Sequence, residues 1–263
     1  MELGLKGKTA LVGGASRGLG LAIAETLAAE GANLVICSRD RKAIDDAAEA
    51  IATDACAEVL PVAADLSRAE DIEKLLQSAT RTFGSIDILV HNTGGPPAGD
   101  FFDHDEAAWQ AAFEGLLLSF VRLARGVVPG MQAKGWGRIV TTTSFTVREP
   151  AERLALSNAL RTAVVAASRT LAREVAADGI TVNTVAPGAF ETDRLRSLFD
   201  SQAESSGQTA DQVRDAWLAR IPIGRIPEPS ELAALVAFLC SEGAGSITGT
   251  CLPIDGGMTH GLF

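Results

Sequence analysis

Val12-Gly13-Gly14-Ala15-Ser16-Arg17-Gly18-Leu19-Gly20 is the stretch on which the fold turns. The short apolar run Thr9–Val12 leads into it, and the Ala-rich periodic segment Leu19–Glu30 leads out of it. Glycine at 14, 18 and 20 lets the turn tighten, lets a ligand approach the backbone, and lets a helix pack close to a sheet. The helix start then offers unpaired N–H groups, which suit a pyrophosphate. A glycine cluster alone is a weak signal. A cluster seated between a first strand and a first helix is a strong one. Gly14, Ser16, Arg17, Gly18, Leu19 and Gly20 are therefore candidate dinucleotide-binding residues.

The same strand–helix alternation continues on both sides. Further apolar runs fall at Asn33–Cys37, Val59–Val62, Ile86–Val90, Arg138–Thr142, Ile180–Val185 and Thr250–Ile254. Between them lie helical patterns at Arg41–Asp54, Ala69–Phe83, Glu106–Lys134, Arg153–Asp178 and Pro229–Ser241. Nearly unbroken apolar strands mark a parallel sheet buried on both faces. The expectation is an α/β fold: one doubly wound Rossmann-type domain over residues 1–263, with a seven-stranded parallel sheet flanked by helices. Residues 188–226 are richer in Ser, Gln, Asp and Arg. They read as a candidate substrate lid, or else as a solvated helical pair.

Composition narrows the partners. The 263 residues carry 23 Lys+Arg against 33 Asp+Glu, a formal charge of −10. That balance disfavours nucleic acid and anionic membranes, which need a basic surface. No apolar run approaches the ~18 residues of a membrane span, and the N-terminal stretch has no signal-peptide core. A cytoplasmic location follows as an expectation. Cys37, Cys56, Cys240 and Cys251 form no Cys-x-x-Cys pair and read as buried thiols. No metal site is expected. There is no tyrosine, so no phenol of this chain can donate a proton.

The end of the second strand selects the nucleotide. A site for NAD usually places Asp or Glu there to hold the ribose 2′-OH. This chain has Ile36-Cys37-Ser38-Arg39 instead. Arg39, with Arg17 in the loop, suits the 2′-phosphate of NADP, so NADPH is expected to be preferred over NADH.

The chain resembles the short-chain dehydrogenase/reductase family, and within it the 3-oxoacyl-[acyl-carrier-protein] reductases. The family's Thr-Gly-x-x-x-Gly-x-Gly loop matches Gly13 to Gly20, with Gly13 in place of Thr. Asp65 and Leu66 match its adenine-contacting position, and His91-Asn92-Thr93-Gly94 matches its Asn-Asn-Ala-Gly. Pro187, Gly188 and Thr192 match the segment that commonly meets the nicotinamide, and Asp255-Gly256-Gly257 matches its closing motif. The resemblance implies that Ser38, Arg39, Asp65, Leu66, Asn92, Gly94, Pro187, Gly188 and Thr192 join the loop in cofactor binding. It also implies a homotetramer built on the Glu106–Lys134 and Arg153–Asp178 helices.

The family's catalytic Asn, Ser, Tyr and Lys fare differently. Ser144 stands at the serine position, but Leu116, Ser157 and Arg161 replace the other three. Carbonyl reduction needs a hydride and a proton. Ser157 is shorter and less acidic than a phenol. Arg161 keeps the positive charge but cannot trade protons. The expected function is an NADP(H)-dependent oxidoreductase acting on a small carbonyl or alcohol, 3-oxoacyl-like by resemblance, with a non-standard proton-donor site. Ser144, Ser157 and Arg161 are its candidate catalytic residues. The alternative is an inactive NADP-binding sensor or partner subunit. His91, the cluster Asp103-His104-Asp105-Glu106, and Arg148, Glu149, Glu152 and Arg153 are further candidates, with structural roles favoured for the first two groups.

Overall fold

The computed structural model describes residues 2–55 and 57–261. Cys56 lies outside them. Seven parallel strands form one sheet: β1 (Thr9–Gly13), β2 (Asn33–Ser38), β3 (Val59–Ala63), β4 (Ile88–His91), β5 (Gly137–Thr142), β6 (Ile180–Pro187) and β7 (Cys251–Ile254). Their order is β3-β2-β1-β4-β5-β6-β7. The chain therefore winds outward from β1 to β3 and crosses back to β4. This leaves a crevice between β1 and β4 at the carboxyl ends of the strands.

Side chains alternate across each strand. Val12, Ile36, Val90 and Val140 face one layer, where they meet Ile23, Leu27, Ile44, Leu232 and Val236. Their neighbours Leu11, Val35, Leu89 and Ile139 face the other, against Leu75, Phe120, Leu123 and Val164. The first layer holds α1 (Gly18–Ala29), α2 (Arg41–Ala55) and, later in the chain, the helix Pro229–Cys240. The second holds α3 (Ala69–Phe83), α4 (Glu106–Ala112), α5 (Ser119–Lys134) and α6 (Ala155–Val175). Both sheet faces are covered, which is why the strands read as unbroken apolar runs.

The long helical run Glu106–Lys134 is interrupted. Phe113–Leu118 forms a widened π-turn between α4 and α5. The hydroxyl of Ser119 lies within hydrogen-bonding reach of the carbonyls of Gly115 (2.7 Å) and Leu116 (3.2 Å), serving acceptors that the turn loosens.

Residues 188–226 contain a helical pair, α7 (Asp193–Ser206) and α8 (Ala210–Leu218). The pair has its own small core, where Leu195, Phe199 and Val213 pack with Phe145, Ile221 and Met258. The helix after it, Pro229–Cys240, is α9. Cys37 and Cys240 are buried, but Cys251 is only half-buried. Burial pushes the thiols of Cys37 and Cys240 up to about 12. Among the described residues no helix is long and apolar enough to cross a membrane, and no cluster of metal-ligating side chains occurs.

Candidate active site

A cavity of about 900 Å³ opens at the carboxyl ends of the strands. Its wall includes every residue that the sequence marks for the cofactor and all three candidate catalytic residues.

The glycine loop forms the floor on the β1 side. Gly14 and Gly18 adopt φ of +59° and +58°, which L side chains rarely tolerate. A Cβ on Gly20 would lie 2.3 Å from the Gly14 carbonyl oxygen, so the first turn of α1 reaches its position only without a side chain. Arg17 precedes α1 in extended conformation, and no side chain caps the helix. The first N–H groups are thus left to a ligand. Asn92, at the end of β4, donates through Nδ2 to the Gly13 carbonyl (3.0 Å) and ties the loop across the crevice. These features fit a dinucleotide pyrophosphate.

At the β2 end, Asp40 caps α2 by accepting from the Ala43 N–H (3.1 Å). It does not pair with Arg39, which has no ion pair among the described residues. Asp65 lies opposite. Partial burial acts to raise its carboxyl. Hydrogen bonds from the Ser67 N–H (2.9 Å) and hydroxyl (2.8 Å), with the charges of Arg39 and Arg68, hold it below the usual carboxylate range. The wall here is cationic at Arg17 and Arg39, which fits a phosphate better than a bare ribose hydroxyl.

The other end lies over β4, β5 and β6. Ser144 follows β5, and its Oγ accepts from the Thr146 N–H (3.2 Å). Ser157 and Arg161 stand one turn apart on the first half of α6, both more than nine-tenths buried. Ser157 Oγ lies 3.5 Å from Thr146 Oγ1. Arg161 Nη1 donates to the carbonyls of Thr142 (3.1 Å) and Thr143 (3.0 Å). Burial, then the nearby charge of Arg194, lowers this guanidinium to about 10, so it remains a cation at neutral pH. Leu116 projects from the π-turn into the same wall. This part of the wall is apolar.

His91 is buried behind the wall, not in it. Its Nε2 lies 2.8 Å from Ser119 Oγ. Whichever of the two groups donates in that contact, Nδ1 is left without a partner. The expected satisfied histidine is therefore only half satisfied. Burial first, and then Arg161, push it down to about 3, so it stays neutral.

The remaining polar candidates lie outside the cavity wall. Asp100 and Asp103 form a reciprocal cap on a short turn, and Asp105 caps α4. Arg148 donates to the Cys251 carbonyl, and Glu149 accepts from the His260 N–H (3.1 Å). Arg153 sits 3.6 Å from Asp100. Sequence reasoning missed Arg194, which reaches from the first turn of α7 to donate to the Pro96 carbonyl (3.1 Å). Its signal, an arginine two residues after Thr192, reads locally as an exposed helix residue.

A doubly wound parallel sheet with a glycine-rich turn at its switch point defines a dinucleotide-binding class of α/β protein. The profile of the family described as enoyl-(acyl carrier protein) reductase matches residues 14–259. The 3-oxoacyl-[acyl-carrier-protein] reductase FabG of Vibrio cholerae is 38% identical over 97% of this chain and 99% of its own. The structure of L-sorbose reductase from Gluconobacter frateurii, complexed with NADPH and L-sorbose, matches with a TM-score of 0.95 and 35% identity over the whole of both chains. An actinorhodin polyketide ketoreductase with NADPH matches with a TM-score of 0.92 and 31% identity, over 96% of this chain and 97% of its own. The chain belongs to the short-chain dehydrogenase/reductase family of oxidoreductases.

Proposed function

We propose that this chain is an NADP(H)-dependent oxidoreductase that acts on a small carbonyl or alcohol through a rebuilt proton-donor site. The observation that carries the reading is the continuity of one cavity from the uncapped N-terminus of α1 to Ser144, Ser157 and Arg161. Gly14, Ser16, Gly18, Leu19 and Gly20 hold the pyrophosphate. Arg17, Ser38 and Arg39 hold the 2′-phosphate, and Asp65 and Leu66 the adenine side. Asn92, Gly94, Pro187, Gly188 and Thr192 orient the nicotinamide half. Bound NADPH supplies a hydride.

The hydroxyls of Ser144 and Ser157 polarise the carbonyl oxygen. The Arg161 cation stabilises the negative charge that develops there. Water held by the two serines delivers the proton, since neither Arg161 nor neutral His91 can supply one at neutral pH. Residues 188–226 act as the substrate lid, because α7 and α8 contribute Arg194, Leu198 and Trp217 to the cavity wall. The protein works in the cytoplasm as a homotetramer built on α5 and α6.

Calorimetric titration tests the cofactor half. NADPH is expected to bind at least about tenfold more tightly than NADH, and Arg39→Ala to narrow that gap. Equal affinities in the parent would overturn the choice of NADP. Failure of both nucleotides to bind would overturn the oxidoreductase reading.

A further inference from the structure

The cavity wall holds four arginines that form no ion pair among the described residues, in a protein with a net charge of −10. Arg17 and Arg39 stand at the β2 end, where the proposed function already employs them. Arg161 and Arg194 stand at the opposite end, over the neighbouring strands β4 and β5. Arg161 spends Nη1 on two backbone carbonyls. Its Nε and Nη2 have no protein partner among the described residues and are not sealed from the cavity.

The guanidinium of Arg194 is held in place by the Pro96 carbonyl, and a Cβ on Gly95 would lie 3.4 Å from its Nη2. The carboxylates nearest to it in sequence are taken. Asp193 pairs with Arg196 (3.1 Å), and Glu191 with Arg214 (3.0 Å). The other carboxylates in the wall, Asp40 and Asp65, belong to the β2 end. The rest of this wall is apolar or neutral: Leu116, Ser144, Phe145, Ser157 and Leu198. Arg161 also feels the charge of Arg194 as a repulsion. Arg161 is buried and Arg194 lies at the exposed rim of the same cavity, so an anion between them would relieve the repulsion that the buried guanidinium feels.

We propose that Arg161 and Arg194 form an anion seat at the reaction end of the cavity, and that the substrate is a carbonyl compound bearing a carboxylate. The proposal rests on the oxidoreductase reading and narrows its substrate class to an oxo acid. Arg194 grips the carboxylate as a planar fork. Arg161 shares the charge and stays close to the carbonyl oxygen. A neutral ketone or ester of the same shape would leave both cations unpaired.

Matched acids and esters test the seat without turnover. The probes are levulinate with methyl levulinate, and pyruvate with methyl pyruvate, titrated into protein saturated with NADP⁺. At least one acid is expected to bind about tenfold more tightly than its ester. Arg194→Gln should cut that preference to within about threefold while NADP⁺ affinity changes less than about twofold. Arg161→Lys, which keeps the charge, should retain most of the preference. Acids that bind no better than their esters would overturn the proposal. So would an Arg194→Gln variant that loses NADP⁺ affinity but keeps the acid preference, because the seat would then belong to the cofactor's pyrophosphate. If NADP⁺ does not bind, the oxidoreductase reading fails on its own. The same pairs titrated into the nucleotide-free protein then decide the seat: an acid preference lost in Arg194→Gln upholds it, and no preference overturns it.

Discussion

In the proposed site three side chains depart from the pattern that the family resemblance implies, and each would remove a different element of proton transfer. Ser157 puts a hydroxyl where a phenol would reach further. Arg161 fixes a proton that a lysine could exchange. Leu116 removes an amide that could hold water. All three replacements can be read from the sequence, because each position is counted from a nearby motif. Their surroundings cannot. Arg161 is anchored through one nitrogen, Nη1, to the carbonyls of Thr142 and Thr143, on a strand end remote from it in the chain. If the missing proton transfer limits the rate, restoring it should raise the rate. The triple variant Leu116→Asn, Ser157→Tyr, Arg161→Lys is expected to reduce a panel of ketones and oxo acids at least about 10²-fold faster than the parent. NADPH absorbance reads the outcome. Equal rates would mean that the proton step is already served by another route.

At the scale of elements, the strands and the glycine loop were legible, because each is specified by its own few residues. The π-turn was not. Phe113–Leu118 carries no local mark that separates it from a regular helix: Ser119 reaches its carbonyls from within the same segment, and the contact of Ser119 with His91 forms only where α5 packs beside β4. The character of 188–226 was half legible: its polarity is plain in sequence, but the apolar contacts that bind α7 and α8 to Phe145 and Met258 come from distant segments. The outer faces of α5 and α6 leave an apolar groove of about 400 Å³, lined by Phe120, Val121, Ala124, Val128, Ala167 and Leu171, with Arg125 and Glu174 also contributing to its wall. A groove with both charges can pair with a second copy of itself across a two-fold axis. Val121→Glu with Ala167→Glu is therefore expected to lower the sedimenting mass while leaving the circular dichroism unchanged. A parent that already sediments as a monomer would refute the assembly.

For the molecule as a whole, acid stability depends on a histidine that folding keeps neutral. His91 is pushed down to about 3 in the folded chain, while an unfolded histidine titrates near ~6.5. Below ~6.5 the unfolded state binds the extra proton first, so stability falls as pH drops through that window. Between pH 7 and pH 5 this one residue should cost about 2 kcal/mol. Urea unfolding of His91→Gln at both pH values should show a pH-dependent loss smaller by about that amount. Parallel losses in the two proteins would show that His91 does not control the acid limb. The other histidines, His104 and His260, are common to both and cancel.

The sheet, its two-sided burial and the glycine loop are all legible in the order of the residues alone. Those features depend on residues a few positions apart, whose spacing fixes them relative to their own strand or helix. Which charges lack an ion pair among the described residues follows instead from the packing of distant segments. Asp40 caps α2 instead of pairing with Arg39, and Asp193 and Glu191 turn to Arg196 and Arg214. Arg194, held at Pro96, therefore joins Arg161 at one end of the cavity. Pairing of charges depends on distances between segments remote in the chain, and the strand order and the packing of α7 set those distances.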